Sequence, residues 1–281
     1  MTAPHRAKKS LGQNFLVDPN QQRRIIAALE PSAADVVLEI GPGQGALTRH
    51  LAGTVARLIL VELDDHLAAA LATQYGSRAD VTIMHADFLE VDVAALVHDV
   101  RSLKVVGNIP YNITTPLLFR LLERDLRPRR IVLMVQQEVA ERIVAHAGDP
   151  EYGALSVGVR SVARVEKLFR VARGSFRPVP GVDSTVIRIE PLEPPPLTAA
   201  EETDLRQLTR AVFAWRRKQL QKTLRNAPEY ALDATTLQAV AQETGIDLEQ
   251  RPEQLEPGSL VALARALRRC GRPTQRDPDR R

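Results

Sequence analysis

Four positions in the chain carry residues that could bind a nucleotide-like ligand, and each lies at the end of a predicted strand. They are the glycine run Gly41-Pro42-Gly43-Gln44-Gly45, Glu62, Asp87 and Asn108. Glycines let a backbone approach a ligand closely, and a carboxylate at the end of a second strand can accept hydrogen bonds from ribose hydroxyls. A carboxylate at Asp87 could accept from an adenine amino group. The spacing therefore predicts a nucleoside-binding site.

The glycine run alone leaves two classes of ligand open. Gly41, Gly43 and Ala46 also fit the G-x-G-x-x-G/A fingerprint of dinucleotide-binding enzymes, which includes an acidic residue about 20 positions later. Asp87 and Asn108 favour a different ligand, a nucleoside with a charged amino-acid tail. An enzyme that transfers a hydride has no evident use for a polar residue at Asn108, after the fourth strand. Asp87 could also simply cap a helix.

The four residues from Asn108 to Tyr111, Asn-Ile-Pro-Tyr, indicate which chemical group the protein modifies, the exocyclic amine of adenine. The exocyclic nitrogen of adenine is a poor nucleophile because its lone pair is delocalised into the ring. Acceptors on its two hydrogens, the Asn108 side-chain carbonyl and the Pro110 backbone carbonyl, would point that lone pair at a methyl donor, and proline fixes the local backbone. Tyr111 could stack on the base, which must be unpaired or flipped out. A strand-terminating turn is the alternative reading.

The apolar runs predict an α/β fold with a doubly wound, mostly parallel sheet. Short Val/Ile/Leu runs are typical of strands covered on both faces, and their alternation with helical patterns implies βαβ crossovers. The predicted strands are 36–40, 58–61, 81–84, 105–106 and 131–135, with helices at 47–51, 67–75, 93–100 and 116–122. Two further strands, 165–171 and 184–189, are expected to close the sheet as an antiparallel hairpin.

Composition excludes several classes of protein. The chain has 281 residues, 44% of them hydrophobic, a formal net charge of +4 and one cysteine, so an internal disulfide is impossible. No apolar run reaches the roughly 20 residues of a membrane helix, and the N-terminus has no secretory pattern. The histidines, His50, His66, His85 and His98, lack metal-ligand spacing. We expect a monomeric cytoplasmic protein without a metal and without a membrane partner.

Positive charge is concentrated in one stretch near the C-terminus. Seven basic residues occur there with no acidic residue among them: Arg206, Arg210, Arg216, Arg217, Lys218, Lys222 and Arg225. The spacing of Arg206, Arg210 and Arg217 predicts one helix face. A second set is Arg120, Arg124, Arg127, Arg129 and Arg130. Either set could be a solvated helix face, but beside an adenine-directed site both favour phosphate binding. Phe213 and Trp215 are expected in the helical core.

Longer motifs extend this reading over about residues 8–225. They are KKSLGQNFL, LEIGPGQGALT, VELD, HADFLEVD, GNIPYNITTP, QQEVAERI, YGALSV, FRPVPGVDSTV and FAWRRKQLQKTLRN. In these motifs the chain resembles the small-subunit ribosomal RNA adenine dimethyltransferases. The resemblance implies S-adenosylmethionine as methyl donor, bound by Asn14, Leu16, Gly41, Glu62, Asp87 and Asn108, to which we add Gly43 of the glycine loop. It also implies that Asn108, Pro110 and Tyr111 orient the target amine and that Phe176 closes over the base.

Composition and capping patterns divide the chain into expected domains, whose functions the resemblance supplies. A basic, irregular segment at 1–17 precedes an S-adenosylmethionine-dependent methyltransferase domain at 18–192, which opens with a helix capped by Asp18. A proline-rich linker at 193–200 leads to a helical RNA-binding domain at 201–270, and a disordered tail follows at 271–281.

The resemblance also implies the reaction. Enzymes of this family transfer two methyl groups to each of two adjacent adenines near the 3′ end of small-subunit rRNA during 30S assembly. Three alternatives stay open: a large-subunit rRNA adenine methylase of the macrolide-resistance type, a DNA adenine methylase, and a non-enzymatic RNA-binding assembly factor. YGALSV, PVPGVDS and RRKQLQKTLRN favour the small-subunit branch, and KKSLGQNFL argues against a DNA substrate.

Overall fold

The computed structural model describes residues 13–111 and 113–270. In chain order the elements are β1 (Phe15–Leu16), α1 (Pro19–Leu29), β2 (Val36–Ile40), α2 (Thr48–Leu51), β3 (Arg57–Glu62), α3 (Asp65–Tyr75), β4 (Val81–His85), β5 (Lys104–Asn108), α4 (Thr114–Leu121), β6 (Arg130–Gln136), α5 (Gln137–Val144), α6 (Ala154–Arg160), β7 (Ala163–Val171), β8 (Phe176–Arg177), β9 (Ser184–Pro191), α7 (Ala199–Ala214), α8 (Leu220–Asn226), α9 (Ala234–Thr244) and α10 (Pro257–Arg269). Residues 1–12 of the predicted N-terminal segment and the whole predicted tail at 271–281 lie outside the described residues.

The main sheet has seven strands in the order β4-β3-β2-β5-β6-β9-β7. The first five are parallel, and β9 pairs antiparallel with both β6 and β7. This is the predicted doubly wound sheet with its closing antiparallel hairpin. The strand order reverses between β2 and β5, and in open α/β sheets ligands bind at the carboxyl ends of the strands beside such a reversal.

The central strands form where they do because both of their faces are covered. Leu38, Leu58, Ile59 and Leu60 are fully buried, as continuous aliphatic strands in a parallel sheet must be. Side-chain caps fix the helix starts. Asp18 accepts from the backbone N–H groups of residues 20 and 21 at the start of α1, as predicted from the Asp-Pro pair.

Two local predictions are wrong. Residues 93–100 form no α-helix; only a single 3₁₀ turn follows, at Val100–Ser102. The Asp99 carboxylate accepts from the Arg101 N–H and so starts this separate turn within the predicted helix. The segment before Asp18 is also not wholly irregular, since β1 pairs with β8 in a separate two-stranded sheet.

Contacts divide the described residues into two compact units, a sheet unit within 13–140 and 163–191 and a helical unit of 141–162 with 192–270. The sequence-based boundary near 192 matches the second division only. Residues 141–162 belong to the helical unit because the buried Tyr152 donates its hydroxyl to the Leu255 carbonyl (2.6 Å) and packs edge-on against Phe213.

Helix α7 begins at Ala199, within the predicted linker at 193–200. Thr198 caps it, and the Glu201 side chain bonds back to the Thr198 N–H in a capping box. None of the described helices has the length and apolar composition needed to cross a membrane.

Candidate functional site

A cavity of about 310 Å³ opens at the carboxyl ends of β2, β3 and β5 in the sheet unit. Of the predicted site residues, it is lined by Asn14, Leu16, Gly41, Gly43, Glu62, Asn108, Pro110 and Tyr111. These residues come from four separate parts of the sequence. The parallel sheet brings them together because the carboxyl ends of parallel strands meet at one edge.

The glycine loop needs its glycines for two different reasons. Gly41 and Gly43 have φ values of 62° and 59°, in the left-handed region that side chains rarely adopt. A Cβ on Gly41 would meet no atom within 4 Å, whereas one on Gly43 would lie 3.2 Å from the Phe15 ring. The loop is therefore packed under Phe15 at one glycine and faces open space at the other.

The Glu62 carboxylate is held in place by the backbone on both of its oxygens. The Gly43 N–H donates to Oε2 (2.9 Å) and the Asp64 N–H donates to Oε1 (2.9 Å). Burial raises the pKa of Glu62, and the two N–H groups act in the opposite direction. Because each oxygen can accept two hydrogen bonds, one acceptor position remains on each. Two adjacent acceptors match the neighbouring hydroxyls of a ribose.

Asn108 joins the end of β5 to the N-terminal segment. Its Nδ2 donates to the Asn14 carbonyl (2.9 Å). Since a carbonyl can only accept, the amide nitrogen must face Asn14, and Oδ1 is the side-chain atom left to accept from a target amine. The segment is also held at Leu16, whose carbonyl accepts from Gln22 Nε2 (3.0 Å).

The last two residues of the motif, Pro110 and Tyr111, have partners of their own. The Pro110 carbonyl accepts the Ile113 N–H (3.2 Å) and, at 3.4 Å, the Thr114 hydroxyl, which is also 3.5 Å from the Tyr111 carbonyl. A target amine would take the place of this long Thr114 contact on the second lone pair. The Tyr111 hydroxyl is 2.9 Å from Ser184 Oγ, and Ser184 is buried at the start of β9. This hydrogen bond fixes the tyrosine ring at the cavity wall.

Two of the residues predicted to contact the donor or the target base do not line the cavity. Asp87 accepts from the Leu89 N–H (2.9 Å) and caps the 3₁₀ helix Phe88–Glu90, which was the alternative reading of this residue. Phe176 lies opposite Leu16 in the small sheet and is fully buried in the hydrophobic core. The contact of Asp87 with the donor and that of Phe176 with the base stay predictions.

Glu39, a second buried carboxylate in the cavity wall, was not predicted from the sequence. Glu39 is 2% exposed, and the Thr48 hydroxyl donates to its Oε2 (2.7 Å). Burial raises its pKa to about 7. A charged residue within the apolar run Val-Val-Leu-Glu-Ile was the available signal, because burying a carboxylate is costly. Ser184 was also missed, and only a three-dimensional contact reveals its link to Tyr111.

The cavity fits the methyl donor that the resemblance implies. S-adenosylmethionine has a ribose with two neighbouring hydroxyls, which suits Glu62, and a cationic sulfonium, which suits a wall containing buried carboxylates. Apolar side chains of Phe15, Leu16 and Leu67 provide surface for the flat adenine ring. Within residues 13–111 and 113–270, no group of three or more His, Cys, Asp or Glu side chains is arranged to hold a metal ion.

The basic residues of the helical unit are mostly exposed. Those with exposed side chains are Arg206, Arg210, Arg217, Lys218, Lys222 and Arg225. Arg216 differs, since it pairs with Glu253 (2.7 Å) and donates to the Pro150 carbonyl (3.0 Å). The predicted single helix face is wrong for Arg217, because α7 ends at Ala214 and Arg217 lies in the following turn. Trp215 is also not in the core, with 61% of its surface exposed.

The second basic set is largely engaged within the sheet unit. Arg120 pairs with Glu123 and Asp125, and Arg130 pairs with Glu30 and Glu190. A further member, Arg127, is buried and donates to the Leu122 carbonyl. Arg120 and Arg127 stabilise the turn from α4 into β6, and Arg130 links the start of β6 to β9 and to the end of α1. A phosphate-binding role for the whole set is therefore not supported.

Comparison with known proteins assigns the family. Residues 4–263 match the family model described as ribosomal RNA adenine dimethylase. The chain is 43% identical to ribosomal RNA small subunit methyltransferase A of Pseudomonas putida over 94% of its length and 96% of the relative's. It is 41% identical to the protein of that name from Acidithiobacillus ferrooxidans, over 93% and 94%.

Two solved structures share the fold. A dimethyladenosine transferase from Plasmodium falciparum superposes with a TM-score of 0.72 at 26% identity, covering 89% of this chain and 95% of that one. The 23S rRNA methyltransferase ErmE superposes with a TM-score of 0.68 at 26% identity, covering 91% and 100%. The resemblance and the predicted fold class are thereby confirmed. The chain belongs to the ribosomal RNA adenine dimethylase family of S-adenosylmethionine-dependent methyltransferases.

Proposed function

We propose that this methyltransferase modifies the N6 amino groups of two adjacent adenines near the 3′ end of small-subunit rRNA. The product is N6,N6-dimethyladenosine, formed on a 30S assembly intermediate in the cytoplasm by a monomeric enzyme. The observation that carries the proposal is the convergence of Glu62, Asn108, Pro110 and Tyr111 on one cavity. The relatives named as small-subunit enzymes support the choice of rRNA.

At the donor end, the residues act by holding S-adenosylmethionine in one position. Glu62 has one acceptor free on each oxygen for the ribose hydroxyls, and its own position is fixed by Gly43 and Asp64. Asn14 and Leu16 lie over the cavity, held by Asn108 and Gln22. When bound, the donor supplies an electrophilic methyl group on its sulfonium.

At the acceptor end, Asn108 Oδ1 and the Pro110 carbonyl accept the two N6 hydrogens of the adenine. The lone pair of N6 then points at the methyl carbon, and a new C–N bond forms as the C–S bond breaks and its electrons go to sulfur. The excess proton leaves the nitrogen for water afterwards. Catalysis therefore comes from orientation and hydrogen bonding, without a strong base. Tyr111, fixed by Ser184, stacks on the base.

The exposed cations of the helical unit are proposed as phosphate contacts, with Arg206, Arg210, Arg217, Lys218, Lys222 and Arg225 available and Arg216 partly engaged. They neutralise the rRNA backbone and release counterions, so RNA affinity falls steeply as salt rises.

The test is transfer of labelled methyl groups from S-adenosylmethionine to 30S particles, 50S particles and plasmid DNA, followed by nucleoside analysis. N6,N6-dimethyladenosine in 30S rRNA alone supports the proposal. Label in 50S rRNA or in DNA would instead assign one of the alternative substrates. Donor binding with no transfer to any of the three would leave a binding protein, and Asn108→Ala serves as the inactive control.

A further inference from the structure

The chain's single tryptophan, Trp215, stands exposed at the end of α7. Tryptophan is large and apolar, and exposure of 61% leaves most of its ring in water. The aromatic residue two positions earlier, Phe213, packs against Tyr152 at a centroid distance of 5.9 Å. The helical unit thus uses one of these two neighbouring rings for packing and presents the other to solvent.

The backbone that carries Trp215 is fixed on both sides. The Lys218 N–H donates to the Trp215 carbonyl (2.7 Å) and closes a tight turn. The next residue, Arg216, is anchored to Glu253 and to the Pro150 carbonyl, and the Leu220 N–H donates to the Gln250 carbonyl (2.9 Å). An aromatic ring on a fixed turn loses little conformational freedom when it binds a flat ligand.

The chain around Trp215 carries only positive charge. Arg217 and Lys218 follow it directly in the turn, Lys222 and Arg225 are exposed on α8, and no acidic residue occurs between Leu205 and Asn226. An aromatic platform flanked by cations is how proteins hold single-stranded nucleic acid, the ring stacking on a base and the cations contacting the adjoining phosphates. An acidic protein surface would match the charges, but its carboxylates give the Trp215 ring no flat partner.

We propose that Trp215 stacks on an unpaired base of the rRNA substrate while Arg217 and Lys218 contact the flanking phosphates. The inference rests on the proposed rRNA substrate and adds a contact of the helical unit with a base to the cationic contacts with phosphates. Stacking on a ring tolerates any base, so the contact serves affinity and register more than sequence recognition.

The single tryptophan makes the test direct. When fluorescence is excited at wavelengths longer than the tyrosine absorption band, only Trp215 emits. The full-length protein is titrated with an RNA hairpin whose loop has unpaired adenines and with a fully paired duplex of matched length. Strong quenching and a blue or red shift with the hairpin, and little change with the duplex, support stacking. Equal responses to both RNAs, or none, overturn it.

Variants separate stacking from charge. Trp215→Ala should weaken hairpin binding roughly tenfold without changing the slope of log affinity against log salt, whereas Lys218→Ala should lower that slope by about 0.7–1. Trp215→Phe should keep most of the affinity and Trp215→Leu should lose it. Wild-type affinity in Trp215→Leu, or a changed slope in Trp215→Ala, would count against a stacked ring. Unaltered melting temperatures show that the variants are folded.

The two proposals fail in different ways. If 30S rRNA is dimethylated but Trp215 fluorescence does not respond to the hairpin, only the stacking contact is wrong. If the hairpin quenches Trp215 but no particle is methylated, the helical unit binds RNA and the proposed substrate is wrong.

Discussion

The two regions proposed to meet the substrate differ in how their polar groups are used. In the cavity of the sheet unit, the carboxylate of Glu62 and the amide of Asn108 are already bonded to the backbone and keep only one or two positions for a ligand. On the helical unit, Arg210 and Lys218 extend into solvent. The first arrangement suits a small ligand that must be held in one geometry, and the second suits a flexible polyanion.

The most severe test of this contrast is Asn108→Ala. The substitution removes both the acceptor for the amine and the bond to Asn14, so we expect methyl transfer to fall about a hundredfold or more while donor affinity changes much less. Single-turnover transfer and calorimetric donor binding measure the two effects. Asn226→Ala, at the exposed end of α8, is the control and should leave both unchanged. Equal losses of transfer and donor binding would contradict the assigned role.

The buried carboxylate of the cavity wall should give the protein a characteristic pH dependence. Because the pKa of Glu39 rises from 4.5 to about 7 on folding, the folded state keeps a proton that the unfolded state has lost between these values. This contribution to the free energy of unfolding is complete below pH 4.5 and is lost as pH rises through about 7. Glu39→Gln should abolish the loss, which amounts to roughly 3 kcal/mol at about 1.4 kcal/mol per pKa unit.

Glu201 in the helical unit is a matched control whose pH dependence of stability has the opposite sign. Arg265 lowers the pKa of Glu201 to about 2, so its contribution is present above 4.5 and is lost as pH falls towards 2. Denaturation of Glu39→Gln and Glu201→Gln at several pH values should give difference curves of opposite slope. Parallel curves would mean that the two regions do not differ in this way.

Gly43→Ala should affect stability and binding, whereas a glycine with the same backbone strain should affect stability alone. Both Gly43 and Gly245 have positive φ, and a side chain at either costs about 1–2 kcal/mol. Only at Gly43 would the new methyl group press on the Phe15 ring, 3.2 Å away, and disturb the N–H that holds Glu62. Donor affinity measured by calorimetry should fall several-fold in Gly43→Ala and stay unchanged in Gly245→Ala.

The smallest expected effect separates a free cation from an anchored one. Arg210→Ala should lower RNA affinity a few-fold and reduce its salt slope by about 1, with no change in melting temperature. Arg216→Ala removes the bonds to Glu253 and Pro150, so it should also lower stability by about 1 kcal/mol. If both variants changed the salt slope and the melting temperature equally, Arg210 and Arg216 would not differ as a free and an anchored cation.

Much of the cavity was predictable because topology alone determines it. Once Glu62 and Asn108 end parallel strands, they must meet at one edge of the sheet, whatever the side-chain details. The Asp18 cap was predictable for a similar reason, since the Asp-Pro pair fixes a helix start locally.

What the sequence did not reveal depends on contacts between distant segments or on where a helix stops. Nothing near Tyr111 indicates its bond to Ser184 on another strand. Periodicity continues past Ala214, so it predicts a helix that includes Arg217 and a core position for Trp215, although the helix ends earlier. At 93–100 the periodicity also predicts a helix, and it does not detect the separate 3₁₀ turn that Asp99 starts at Val100.

The segment 141–162 has a consequence for how the protein is made. It lies in the chain before β7 and β9, yet it belongs to the helical unit with α7 and α10, so no single cut in the gene separates the two units. At a ribosome speed of roughly 5–20 residues per second, the buried face of α6 waits several seconds for the helices it packs against to be synthesised. During that interval Leu155, Val157 and Val159 have no mature core to enter, and a truncation near 192 would make their exposure permanent.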